Sequence, residues 1–435
     1  ISSLSDLNKL ASLVNSGQAS NCTFILTGDI DMANSPGYIP IGTDTNPFYG
    51  TFYGNGHVIS NVSISQSGTS GVGIFGVTGS TARILDLGVE NANVTGGMYT
   101  GVIIGQSGGT ISNCFVKGNV NVNGGSYVGA ITGYSFNTIQ ATYTSGNINI
   151  SGSNYVGGLA GSINNSVKNC FVQGVNVTAS AGSAGGFAGT FSSSASYDKI
   201  SIKGTVNVTG TNCVGGYVGM SNINISNLNA NVTGTVKSTG GYVGGIVGSI
   251  SSSRTISNCN ATMNVTESGS SSYVGGIVGY SPNATISQCS YNGTITVTGS
   301  SNVGGITSGY AETISNCTTS GTIKASGNVR NIGGIIGYLS GSQITNCNSS
   351  MNIISSDYGQ YIGGLIGNIS NPCAISQSYS TGSITAANSS YVGGFIGHTE
   401  GYGSTTINSC YTTGNVTGSN YVGGFIGYAY ARNNS

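Results

Sequence analysis

The sequence repeats itself every 28 to 31 residues, and that period limits the fold more than any other feature. An aromatic-Val-Gly-Gly-Ile-Val/Ile-Gly segment recurs, as in Tyr273-Val274-Gly275-Gly276-Ile277-Val278-Gly279 and Tyr421-Val422-Gly423-Gly424-Phe425-Ile426-Gly427. The first glycine of each pair, or its equivalent, falls at Gly73, Gly101, Gly129, Gly157, Gly185, Gly215, Gly244, Gly275, Gly304, Gly333, Gly363, Gly393 and Gly423. Two more segments recur inside the period. One reads Thr-Ile-Ser-Asn-Cys, at 110–114, 255–259 and 313–317; the other alternates, as in Gly204-Thr205-Val206-Asn207-Val208-Thr209-Gly210. Alternation puts Val or Ile on one face and Thr or Asn on the other, the signature of a half-buried strand. One such unit cannot bury its apolar face, whereas stacked copies can. The chain is therefore predicted to be all-β: a parallel β-solenoid (β-helix) of about thirteen three-strand coils. At about 4.8 Å per coil, it would be on the order of 60 Å long.

The first 65 residues depart from the repeat. Leu7, Leu10, Leu13 and Val14 have helical spacing, with Ser5 as candidate N-cap and Asn15-Ser16-Gly17 as a stop. Strand-like Thr23 to Leu26 and the run from Ile39 to Ile64 follow. This predicts an N-terminal α/β capping element over 1–65 and solenoid repeats over 66–435. The last coil runs into 429–435 with no visible cap, so the reading expects either further chain or a covering subunit there.

Charged residues make up 5% of the chain, where soluble domains carry about 25%. Eleven basic and eleven acidic residues cancel, which removes the electrostatic footprint that nucleic acid or an anionic membrane would need. Low charge also leaves little repulsion between copies, so lateral or end-to-end self-association is expected. Glycine and serine interrupt every apolar run, so no membrane span is predicted.

Val-Gly-Gly-Ile-Val-Gly followed by Ile-Ser-Asn-Cys and Gly-x-Val resembles the GLUG repeats of bacterial and protist surface proteins. Phe24-Ile25-Leu26-Thr27-Gly28-Asp29-Ile30-Asp31, Pro40-Ile41-Gly42 and Phe48-Tyr49-Gly50-Thr51-Phe52-Tyr53-Gly54-Asn55-Gly56-His57 are similar to the leader before such repeats. The resemblance covers nearly the whole chain. It implies a secreted or cell-surface protein of the adhesin, filament or stalk type, with other surface proteins or glycans as partners. Bacterial IgA-specific metallopeptidases also carry such stalks, but this chain has only His57 and His398 and no HExxH.

The residues themselves give no catalytic reading. The eleven carboxylates form no column for calcium or acid/base work, and the close pair Asp29 and Asp31 belongs to the leader. The Gly-Gly pairs are read as lying inside strands with no helix after them, so phosphate binding is not expected. No enzyme activity, metal or cofactor is predicted. Ten cysteines show no CxxC spacing. The position three after the second-strand Ile holds Leu87, Cys114, Thr142, Cys170, Ile200, Leu228, Cys259, Cys289, Cys317, Cys347, Ser378 and Cys410. Leu and Ile share that column, which argues for inward-facing buried thiols. Cys259, Cys289, Cys317 and Cys347 fall in consecutive coils, where inter-coil disulfides are compatible with the spacing. Tyr99, Tyr127, Tyr155, Tyr242, Tyr273, Tyr361, Tyr391 and Tyr421 precede the double glycine and are expected to stack into a column. That edge, or the Thr/Asn face of the third strand (Thr205, Asn207, Thr294, Thr296, Thr322, Asn415, interrupted by Lys237 and Lys324), suits a carbohydrate-binding module as the alternative function. A spacer in a larger secreted protein is the third reading. Candidate N-glycosylation sites are Asn61, Asn93, Asn149, Asn176, Asn207, Asn231, Asn264, Asn292, Asn388 and Asn415, conditional on a pathway that glycosylates.

Overall fold

A computed structural model describes residues 1–33, 35, 37–269, 272–299, 302–401 and 405–431. The end of the chain beyond Ala431, where no cap was read, lies outside the described residues. The fold is a parallel β-solenoid, built of strands and the turns between them, with one helix among the described residues. Two compact units divide it, residues 1–210 and 211–435.

In the first unit the coil after Gly124 shows the pattern. Its strands are Tyr127–Gly129, Thr132–Ser135, Ile139–Gln140 and Tyr143–Gly152, which we call positions a, b, c and d. Every pairing between successive coils is parallel, with Tyr127 on Tyr155 at a, Thr132 on Ala160 at b, Ile139 on Val167 at c and Tyr143 on Phe171 at d. The aromatic-Val-Gly-Gly-Ile-Val-Gly segment, read as one strand, is thus two. Its first glycine ends strand a, and the second stands in the bend before b rather than inside a strand. Space explains the bend: a Cβ on Gly158 would drive into the Gly186 carbonyl oxygen of the next coil. The alternating strand also begins earlier than its bounding glycine. Ser201–Gly210 includes Gly204, which has φ of +68° and kinks the strand instead of ending it.

Alternation sorts the d strands as expected. Val62, Ala92, Val120, Ile148, Val175 and Val206 form one continuous buried column, and Ile64, Val94, Val122, Ile150, Val177 and Val208 form a second. Burying each such side chain contributes roughly 1.5–3 kcal/mol. The second unit repeats this arrangement at position c, where Ile225, Ile256, Ile286, Ile314, Ile344 and Ile375 stack in register and are all buried.

At the N-terminus, α1 (Leu4–Asn15) buries Leu7, Leu10, Ala11 and Val14. Its N-cap is Ser3, not Ser5. Ser3 has extended backbone and its hydroxyl accepts from the Asp6 amide, while Ser5 already lies within the helix. Strands β1 (Thr23–Ile25) and β2 (Ile30–Asp31) follow, then β3 (Thr51–Tyr53) and β4 (Val58–Ser65). β3 pairs with β1 and with Arg83–Leu85, and β4 with β2 and Gly88–Thr95. The 1–65 segment therefore supplies coil strands as well as a helix. Phe48 and Phe52 pack on Phe75 of the first full repeat, with ring centroids 5.4 and 5.2 Å apart.

Because the Gly158 bend has no room for a methyl group, Gly158→Ala is expected to lower stability by about 2 kcal/mol or more. Gly28→Ala, with nothing within 4 Å of the added Cβ, serves as the near-neutral control. Thermal unfolding followed by circular dichroism checks this; equal midpoints for the two variants would show that the bend is slack.

Candidate functional site

In-register stacking turns each repeat position into a column of like side chains, and these columns are the chemistry the molecule presents. The cysteine column, the tyrosine column and the Thr/Asn face were foreseen in the sequence; an asparagine corner and a second aromatic row were not.

The cysteine column lies at the corner between c and d. Leu87, Cys114, Thr142, Cys170, Ile200 and Leu228 are buried, as are Cys259, Cys289, Cys317, Cys347 and Ser378, while Cys410 is half-buried. The buried thiols donate in one pattern, to the carbonyl two residues earlier, as Cys289 to Ser287 at 3.2 Å and Cys317 to Ser315 at 3.2 Å. Burial pushes the Cys114 thiol up to about 12 and Cys170 up to about 11. Where four cysteines follow one another, Cys289 and Cys347 are pushed up, by the neighbouring thiols first and by burial second.

Each residue of this column follows one whose left-handed backbone the sequence reading missed. Asn113, Asn169, Asn227, Asn258, Asn316 and Asn346 have φ between 51° and 58°, and Asp86 fits the same corner. Asparagine and aspartate tolerate that conformation best after glycine. Their side chains also bridge coils: Asn113 Nδ2 donates to Asp86 Oδ1 at 2.6 Å, Asn258 to Asn227 at 2.6 Å, and Asn346 to Asn316 at 2.7 Å. The signal was present in the motif, since Asn before Cys recurs where no core packing requires an amide.

Tyrosines before the double glycine do stack, in short runs rather than one column. Tyr99, Tyr127 and Tyr155 lie 5.4 and 4.9 Å apart in the first unit. In the second, Tyr242 meets Tyr273, and Tyr361, Tyr391 and Tyr421 form a separate run. Asn302 and Asn331 separate those runs, and they bond to each other instead. A second aromatic row, also missed, flanks the first from strand b and the adjoining bend: Tyr134, Tyr280, Tyr310, Tyr338, His398 and Tyr428. Stacked rings spend their faces on one another, which leaves little face for a sugar. His398 is buried, with its pKa lowered by that burial, and its Nδ1 lies 3.0 Å from Asn368 Oδ1.

Of the sequon asparagines, Asn61, Asn93, Asn176, Asn231, Asn264, Asn292, Asn388 and Asn415 are exposed, and Asn149 and Asn207 half-buried. Three of them form a ladder: Asn149 Nδ2 donates to Asn121 Oδ1, Asn176 to Asn149 and Asn207 to Asn176, at 2.9–3.1 Å. Thr294 stacks on Thr322 and Thr296 on Lys324, so the hydroxyl face is broken by lysine as expected.

Asp29 and Asp31 serve the backbone of the cap. Asp29 Oδ1 accepts from the Val58 amide at 2.9 Å and lies 3.2 Å from His57 Nδ1. Asp31 Oδ1 accepts from the Ala33 amide and Asn61 Nδ2, both at 2.9 Å. These bonds hold both carboxyls below the usual range. A cavity of about 510 Å³ lies between α1 and residues 35 and 37–39, lined by Leu4, Ala11, Asn15 and Tyr38 among others, with no charged group among the described residues that line it. Among the described residues no three His, Cys, Asp or Glu side chains gather as a metal site, and no helix is long and apolar enough to cross a membrane.

Residues 328–354 match a family described as the GLUG motif. Over 129 residues, 27% of this chain, the sequence is 36% identical to Halomucin of Haloquadratum walsbyi. Over 102 residues, 22% of the chain, it is 30% identical to an Evansella cellulosilytica protein described as a Gly-rich membrane protein. The matched segments span 1% and 12% of those relatives' own lengths. A crystal structure from Bacteroides ovatus, described as an immunoglobulin A1 protease, aligns over 68% of this chain and 76% of its own, with TM-score 0.38 and 22% identity.

Two outcomes follow from this geometry. A thiol reagent is expected to label exposed Cys22 in the native protein, while Cys114 and Cys170 react only on unfolding; mass mapping of the adducts decides it. The folded-state pKa values of Asp29 and Asp31 are depressed, so their contribution is present above the unfolded pKa of about 3.9 and is lost as pH falls through the folded values. The protection factors of the Val58 and Ala33 amides, measured against the intrinsic exchange rate at each pH, should therefore fall on acidification, and Asp29→Asn should remove the pH dependence of protection at Val58.

Proposed function

We propose that this GLUG-repeat chain is a structural protein of the cell exterior, a subunit of a surface filament or coat or the shaft of an adhesin, and that it performs no catalysis. The observation that carries this is the unbroken parallel stacking of whole coils within each unit, with apolar columns inside and Asn, Thr and Ser columns outside. Such a ladder resists bending and stretching because every coil is held by backbone hydrogen bonds to both neighbours. A face wetted by hydroxyls and amides suits contact with other copies better than electrostatic capture of a charged ligand. Similarity to Halomucin supports an extracellular setting.

We also propose the outward sequon asparagines as glycan acceptors. Their stacking imposes a rule: Asn149, Asn176 and Asn207 sit one coil apart, about 4.8 Å on the strand spacing, and each amide already bonds its neighbour. Adjacent members of that ladder should not be modified together, whereas Asn292 lies outside it.

Electron microscopy of native material together with intact mass and glycopeptide mapping tests both statements. Filaments or an ordered coat support the structural reading; dispersed monomers with a tight soluble glycan ligand would overturn it. Joint occupancy of Asn149 and Asn176 on one molecule would overturn the spacing rule.

A further inference from the structure

We infer that the cysteine column of the second unit is a modification site, in which Cys259 pairs with Cys289 and Cys317 with Cys347 as inter-coil disulfides. The backbone places these residues in direct succession. Ser257, Ser287, Ser315 and Thr345 stand in register two residues before them. The residue after each later cysteine donates its amide to the preceding cysteine's carbonyl: Ser290 to Cys259 at 2.9 Å, Thr318 to Cys289 at 3.0 Å and Asn348 to Cys317 at 3.0 Å. Coils joined this way lie about 4.8 Å apart, inside the Cα range of about 4.4–6.8 Å for a disulfide. The Cβ atoms must approach within about 4.5 Å, a small closure at a corner rather than within a rigid strand. All four side chains point inward, so no rotation out of the core is needed. Four thiols in a row allow two bonds at most by the end-to-end pairing, and a central Cys289–Cys317 bond would strand both outer thiols.

The other cysteines lack a partner at that spacing. Thr142 separates Cys114 from Cys170, and Ser378 separates Cys347 from Cys410. Leu228 ends the run below Cys259. These give an internal control within one chain. The chemistry is thiol–disulfide exchange with a small donor disulfide. One thiol loses its proton and its sulfur attacks the donor, releasing one donor thiolate. The neighbouring cysteine, as thiolate, then attacks the mixed disulfide and releases the second. Per bond, two protein thiols lose two protons and two electrons, and the donor disulfide is reduced to two thiols. Burial requires that exchange take place while the coils assemble, before the column closes.

The test is refolding of the full chain with oxidised and reduced glutathione, alkylation in denaturant, and peptide mapping without reduction. The expected result is 259–289 and 317–347 linked peptides, with Cys114, Cys170 and Cys373 alkylated. Ten alkylated cysteines in folded protein, or links joining the control cysteines as often as the column, would overturn the inference. Cys289→Ser should leave Cys259 alkylated and the 317–347 link intact. Serine and threonine already occupy this column at Ser378 and Thr142, so the variant is expected to fold. Loss of the 317–347 link in that variant would also count against the pairing.

Discussion

The parallel hydrogen-bond ladder between successive coils is the constraint on which everything else rests. It fixes one spacing for all four strand positions at once, so a side chain is always neighboured by the equivalent residue of the next repeat. A residue type that tolerates itself at that distance can recur, and one that does not must be interrupted. Valine and isoleucine recur inside without limit, because like aliphatic surfaces pack together. Asparagine recurs outside because its amide is both donor and acceptor, which lets Asn121, Asn149, Asn176 and Asn207 bond head to tail. Charge does not recur. Lys117 has Glu90 rather than another lysine beside it, at 2.8 Å. This is a physical reason for a chain with 5% charged residues: like charges stacked a coil apart would repel along the whole column.

Glycine has the complementary task. The bend between strands a and b brings backbone onto backbone; Val102 and Ala130 hold its central position in two coils of the first unit, and glycine holds it where the next coil's carbonyl comes closest. Gly158, Gly216, Gly245 and Gly305 each face a glycine carbonyl oxygen in the following coil. The corner between c and d solves a related problem differently. Its left-handed residue has room for a side chain, so asparagine takes the position and uses its amide to bridge coils.

The period, the three motifs and the inward cysteine column were legible because each depends on a pattern longer than any local preference. Leu and Ile sharing a column with Cys was enough to place Cys114 and Cys170 in the core. What the sequence did not disclose was where the chain turns. Tyr-Val-Gly-Gly-Ile-Val-Gly looks like one strand because its residues favour strand throughout; the bend at the second glycine comes from contact with the next coil, which no single repeat encodes. Ser5 resembled an N-cap for a similar reason, since Ser3 and Ser5 are equally good by type. The choice falls to Ser3 because Asp6 lies three residues after it, where its amide meets the Ser3 hydroxyl and its carboxylate accepts from the Ser2 amide.

The aromatic rows show how far column logic reaches and where it stops. Tyrosine stacks on tyrosine along strand a for two or three coils, then gives way to Ser183 and Cys213 or to Asn302 and Asn331. A second row from strand b presses its ring edges against the first at most of these places, as Tyr134 does on Tyr99 and Tyr127. Edge-to-face contact satisfies the ring quadrupoles that parallel stacking alone leaves opposed. The tyrosines therefore form a self-completed structure, cemented from two strands, and their abundance follows from what neighbouring coils require of each other before any ligand is considered.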